Sequence, residues 1–240
     1  MRAVTRKILF SSVLLTLLAS GVAVADSSTP RSAPWRDDFT ARLEALALLQ
    51  SLNADLLSHD SATLTLDRWC GSHHLAEPAK IVAERIRNVD KQATPEQREQ
   101  LRVGATESLR YRRVHLRCGD RVLSEADNWY VPSRLTAEMN QALDNTDIAF
   151  GRAVQALHFQ RRTLSAELLW RPLPEGWEMH PQLPGEPAPA LQIPHEVLQH
   201  RAMLTLPDGT PFSMVVETYT AEVLGFPEPA RAGTSKKTKN

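Results

Sequence analysis

The sequence predicts a single α+β domain, an antiparallel sheet with helices packed on it. Two observations carry this. Residues 111–118 and 121–131 read as strands about the turn Gly119-Asp120. Residues 199–206 and 211–223 do so about Pro207-Asp208-Gly209-Thr210. Strands joined by turns this short pair antiparallel. The whole chain also reads helices, strand, helix, hairpin, helix, strand, hairpin, which places helices against such a sheet.

Each element has its own signature. Asp37-Asp38 precede Phe39, Leu43, Leu46, Leu49 and Leu52, a helical spacing with acids at the favourable end of the dipole. Residues 63–75 carry Leu64, Leu66, Trp69 and Cys70, a short helix ending near Gly71. Residues 81–86 (IVAERI) read as a strand. Thr94-Pro95-Glu96-Gln97 opens a helix: a capping hydroxyl, Pro at the first helical position, an acid in the first turn. That helix fades before Tyr111. After the first hairpin, Pro132 or Ser133 opens a helix through Leu135, Met139 and Leu143, ended by Asp144-Asn145-Thr146-Asp147. Phe150-Gly151 leads into a short helix over residues 152–157, and residues 159–170 form a strand. Residues 171–194 hold seven prolines and two glycines, so they form an irregular loop, either a lid or a surface insertion.

The ends differ from this body. Arg2, Arg6 and Lys7 precede an apolar run over residues 8–22, and Ala23-Val24-Ala25 supplies small residues before Asp26. This is the pattern of a secretory signal peptide over residues 1–25, with an uncleaved anchor as its competitor. Residues 26–35 read as a flexible tether, residues 36–226 as the folded domain, and residues 227–240 as a disordered basic tail. The address expected is export, to a bacterial periplasm.

The chain has 28 basic and 28 acidic side chains. Without the three basic residues of the leader the balance is 25 − 28 = −3. Nucleic acid and acidic membrane surfaces are therefore not expected partners. Cys70 and Cys118 pair in an oxidising compartment, or are two small buried apolar residues. Further ligands at zinc spacing are missing around them.

Common catalytic patterns are absent: no G-x-S-x-G elbow, no H-E-x-x-H, no phosphate-binding glycine loop, no dinucleotide fingerprint. His73-His74 read as helix-terminal or solvated histidines. Metal, nucleotide and triad chemistry are all unsupported. What remains is charge in strands. Arg113 and Arg117 share a face with Tyr111 and His115, while Arg112 faces the other way with Val114 and Leu116. This segment does not say which face is inner. Glu217, after Met214-Val215-Val216, is the other candidate, and a buried acid needs a partner. From pattern alone, Arg113 and Glu217 read as a cross-strand ion pair on a solvated face.

Three blocks resemble the chorismate lyase family. The run RYRRVHLRCGDRVLSEADNWYVP, residues 110–132, is similar to its central hairpin, with an Arg on the first strand, a Cys before the turn and Val-Pro at the end. The stretch 146–152, Thr-Asp-Ile-Ala-Phe-Gly-Arg, stands where the family has Thr-Pro-Leu-Gly and then an Arg. Gly209-Thr210-Pro211 and Glu217 stand for its Gly-x-Pro and later Glu. The blocks keep family order and span residues 81–224.

The resemblance implies an antiparallel sheet with an enclosed ligand cavity. It also implies a cofactor-independent carbon–oxygen lyase converting chorismate to 4-hydroxybenzoate and pyruvate. It assigns Arg113 to the ring carboxylate, where a guanidinium fork suits a planar anion. Glu217 would stand near the ring's other end, and Phe150 and Gly151 would contribute backbone close to the substrate. Catalysis would come from holding a reactive conformer among preplaced charges.

The sequence departs from the family in three ways. Phe150 replaces a Leu, Gly209 to Glu217 is one residue longer, and export separates the chain from cytosolic chorismate. A one-residue shift turns a side chain to the other face unless a bulge absorbs it. A non-catalytic exported binding protein for a small aromatic carboxylic acid is the second expectation. The same fold serves as a ligand-sensing domain in some bacterial regulators. The sequence has no DNA-binding helix pair, which excludes the regulator itself. A structural envelope protein with a filled cavity is the third.

Overall fold

A computed structural model describes residues 34–180 and 188–229. The expected leader, most of the tether and most of the basic tail lie outside the described residues. So does the middle of the Pro-rich loop, and the parts of it that are described contain no helix or strand.

Helix α1 (Phe39–Leu57) starts where expected. Asp38 caps it, accepting the Ala41 amide at 2.9 Å. Ala41, Ala45, Leu49, Leu52 and Leu56 recur at three or four residues and are all buried. Helix α2 (Ala62–Ser72) follows after four residues, capped by Ser61. Strand β1 (Ile81–Ile86) then leads to α3 (Pro95–Gln100), where Thr94 and Gln97 form a reciprocal capping box. The first hairpin is β2 (Arg110–Cys118) with β3 (Arg121–Tyr130). The single helix expected after it is two pieces: a 3-10 turn, Pro132–Arg134, and α4 (Ala137–Asn145), with Thr136 capping the second. Thr136 is the stronger cap, so the helix restarts there. Short α5 (Phe150–Ala153) and a second 3-10 turn, Gln155–Leu157, precede β4 (Gln160–Leu168). Strands β5 (Glu196–Thr205) and β6 (Pro211–Thr220) make the last hairpin.

The six strands form one antiparallel sheet in the order β1-β2-β3-β6-β5-β4. Helices α1 and α2 cover one face, packing against Val114, Leu116, Ala126 and Tyr219. On the other face, Leu101 and Val103 after α3 cover Trp129, Met203 and Met214. No helix among the described residues is long and apolar enough to cross a membrane.

Cys70 and Cys118 are disulfide-bonded, tying the end of α2 to the end of β2. Both are fully buried. The packed chain reaches slightly past the expected bounds of 36–226. The Trp35 indole donates to the Phe226 carbonyl at 3.2 Å, and Arg36 pairs with Glu228 at 2.6 Å.

The pairing of β5 with β6 slips near the turn: Leu204 faces Ser213, but Thr205 faces Pro211. Phe212 is the extra residue. This bulge resets the alternation along β6 and leaves Glu217 on the helix-covered face.

Candidate functional site

Alternation along the strands places a row of side chains beneath α1, α2 and α5. Arg112 faces Asn128, and Asn128 faces Val215. In the next row Val114 faces Ala126, which faces Glu217, which faces His200. These rows floor a pocket walled by Phe150, Phe159 and Leu204 and edged by Asp60, Ser61, Ala62, Thr63 and Gly151.

Arg112 is 2 % exposed. One Nη2 bond, 2.9 Å to the Ile148 carbonyl, holds it in place. Its Nε and Nη1 have no partner among the described residues. Burial lowers its pKa, and Arg85 adds to this. A buried guanidinium with unmade hydrogen bonds is costly, and an anion would relieve the cost. The first turn of α2 borders the same space, adding backbone amides and the positive end of a helix dipole.

Glu217 accepts from Arg161 Nη2 at 2.6 Å, their side chains being 9 % and 4 % exposed. The Tyr219 hydroxyl donates to the same Glu217 oxygen at 3.4 Å. Complete burial, then the neighbouring Glu217, raises the Tyr219 pKa well above its ordinary value. Asp60 Oδ1 accepts the Arg161 amide at 2.9 Å, fixing the start of β4. Below this pair His200 is fully buried, and burial lowers its pKa to about 4. Asn128 Oδ1 accepts from the Ser213 hydroxyl at 2.6 Å.

The inner chamber holds about 40 Å³, room for a few waters. It shares Asp60, Ser61, Gly151 and Phe159 with an outer depression of about 250 Å³, which His59, Arg68 and His158 also line. Gly151 sets the mouth. A Cβ there would lie 2.9 Å from Ser61 Oγ, so any larger residue must displace the hydroxyl that caps α2.

Of the residues singled out from the sequence, Phe150, Gly151 and Glu217 line the pocket. Arg113 does not. It lies on the opposite face, bonded to Glu125 at 3.0 Å and near Asp127 at 3.8 Å. Nor do Arg113 and Glu217 pair with each other, because they point to opposite sides of the sheet. Arg112, its neighbour in β2, lines the pocket instead. The signal was present: Val114, Leu116 and Cys118 share parity with Arg112, and all are buried. Arg161 and Asn128 were missed, since neither sits in an apolar run. No cluster of metal-ligating side chains occurs among the described residues.

The fold and site define an α+β protein with an apolar-walled pocket, carrying a few buried polar side chains, between sheet and helices. No family model matches the chain. It belongs to the family of the uncharacterized protein y4mC of Sinorhizobium fredii (strain NBRC 101917 / NGR234), to which it is 58% identical over 196 residues, 81% of this chain and 83% of that one. Among solved structures, PhnF from Mycobacterium smegmatis is 12% identical over 74% of this chain and 71% of that chain, with a TM-score of 0.47. A possible transcriptional regulator, YydK from Bacillus subtilis subsp. subtilis str. 168, is 18% identical over 64% of this chain, with a TM-score of 0.37. That match spans 62% of YydK, less than two thirds of its length. These structures are too distant to bear on function.

Proposed function

We propose that this protein binds a small aromatic carboxylic acid, with the carboxylate held by Arg112. The observation that carries this reading is a guanidinium 2 % exposed whose Nε and Nη1 lack partners and which lines a pocket with apolar walls. A carboxylate is the natural partner for such a group. The walls, Val114, Leu116, Ala126, Phe150, Phe159 and Val215, suit a flat ring. The chamber and outer depression together, at about 40 and about 250 Å³, approach the roughly 300 Å³ at which small-ligand sites begin. Isothermal titration of the full-length protein with benzoate tests the reading. Binding by the wild type, lost in Arg112→Met, is expected, and unchanged binding in that variant would refute it.

A second reading is catalytic: pyruvate elimination from chorismate to give 4-hydroxybenzoate. Glu217 supports it, as a buried carboxylate facing the pocket with Arg161 and Tyr219 around it. The Arg161 bond fixes the Glu217 carboxylate at the pocket floor, where a carboxylate can stabilise positive charge or take a proton. Pyruvate release from chorismate, abolished in Glu217→Gln, is the expected result. A folded wild type that releases none leaves the binding reading alone. The protein is proposed to act outside the cytoplasm. Its N-terminal pattern and the Cys70–Cys118 disulfide support that address.

A further inference from the structure

Asn128 carries information about the ligand that Arg112 does not. It lies on β3 directly opposite Arg112, lines the same chamber, and is 4 % exposed. Its Oδ1 accepts from the Ser213 hydroxyl at 2.6 Å, and Ser213 is itself fully buried. That bond fixes the amide plane and turns Nδ2 away from Ser213. Nδ2 has no partner among the described residues. The site therefore buries an unmade donor beside a guanidinium that also has unmade donors.

Counting donors separates the two groups. An ionised carboxylate offers about four lone-pair sites. Arg112 has one N–H on Nε and two on Nη1 without partners. The first-turn amides of α2 border the same space. A carboxylate takes a two-bond fork along one edge of the guanidinium, and the α2 amides supply its remaining bonds, which leaves both N–H groups of Asn128 over. Directly opposed residues on antiparallel strands have Cβ atoms about 5 Å apart. Both side chains line one chamber of about 40 Å³, so the acceptor that Asn128 reads lies next to the carboxylate and not across the ring from it.

We infer that the ligand is a 2-hydroxy-substituted aromatic acid, with Asn128 Nδ2 donating to the oxygen adjacent to the carboxylate, and that Asn128 selects for it. Salicylate is the simplest such acid. The inference rests on the reading of Arg112 as the carboxylate anchor.

The test is titration calorimetry of the full-length protein with benzoate, 2-hydroxybenzoate and 4-hydroxybenzoate. The wild type is expected to bind 2-hydroxybenzoate roughly three- to tenfold more tightly than benzoate, the ratio one neutral hydrogen bond supplies. N128L should erase that ratio. S213A, which changes little volume, frees the amide to rotate and should shrink the ratio. It keeps the test open if N128L fails to fold. Equal wild-type affinities, or a preference that survives in the folded variants, would overturn the inference while leaving Arg112 as anchor. Uniform weakening of all three acids in N128L would also overturn it, because Asn128 would then act only by orienting Arg112. If no acid binds the wild type, the anchor reading falls and this inference with it.

Discussion

Arg161 and Glu217 meet at 2.6 Å although β5 lies between their strands. The guanidinium reaches over β5 to the carboxylate, and both are almost fully buried. Two charges removed from water lose several kcal/mol each in hydration, and their attraction returns about that amount. The pair is therefore weak evidence for stability. What it does is hold the Glu217 side chain at one fixed position on the pocket floor.

Breaking this pair on one side is costly. Arg161→Met leaves the Glu217 carboxylate buried without its cation and should lower unfolding stability by about 3–5 kcal/mol. The double variant R161M/E217L removes both charges and should recover most of that loss. Urea denaturation of the three proteins measures it. A double variant no more stable than R161M would mean that the pair is not an isolated charge couple.

Arg112→Met and Arg113→Met should differ sharply despite being chain neighbours. R112M removes the unpartnered guanidinium from the pocket and should abolish benzoate binding. R113M removes a half-exposed ion pair with Glu125 on the other face, worth about 1 kcal/mol or less, and should leave binding within about twofold. Calorimetry of both variants decides which arginine serves the site.

These two residues also show how far the sequence could be read. The antiparallel hairpins, the helix start after Asp37-Asp38, the cap at Thr94 and the order of elements are local features, and they stand in the structure as expected. Which face of β2 is buried is decided by α1 and α2, about 40 to 70 residues earlier in the chain, so alternation alone left Arg112 and Arg113 unresolved. Arg161 was beyond reach for the same reason: its role depends on Glu217, 56 positions away. The placement of Glu217 turns on a bulge at Phe212, which alternation along the strand does not locate.

Gly151→Ala should cost stability through Ser61. The new Cβ would lie 2.9 Å from Ser61 Oγ, the hydroxyl that accepts the Leu64 amide at the start of α2. Displacing it forfeits the cap, at about 1 kcal/mol. In an S61A background the cap is already gone, so G151A should cost clearly less there. A double-mutant cycle by thermal unfolding gives the coupling, and additive losses would remove Ser61 from the explanation.

His200 should make the fold lose stability in mild acid. Its Nε2 is 2.8 Å from Asn53 Oδ1, an acceptor, so Nε2 carries the proton and Nδ1 is bare. Nδ1 has no partner among the described residues. Burial, helped by Arg161 and opposed by Glu217, lowers the pKa from 6.5 to about 4. The unfolded chain takes up a proton near pH 6.5 and the folded one only near pH 4. Stability therefore falls as pH drops through that window, by roughly 3 kcal/mol at full extent. H200Q should flatten the slope between pH 7 and 5. An unchanged slope in that variant would place the acid sensitivity elsewhere.

The disulfide joins residues 48 apart, Cys70 at the end of α2 and Cys118 at the end of β2. Closing a loop of that length removes unfolded-state entropy worth about 4 kcal/mol. For a chain of this size each kcal/mol moves Tm by about 2–4 °C, so C70A/C118A should melt about 10 °C below the wild type. The same bond tests the address. Protein made with its leader and recovered from the periplasm should show no thiol to an alkylating reagent after denaturation. Protein made without residues 1–25 and kept in the cytosol should show two, and should melt near the double variant until oxidised. Two free thiols in the periplasmic protein would remove the disulfide as support for export. Equal melting of all three preparations would mean that the packing of α2 on β2 holds without the bond.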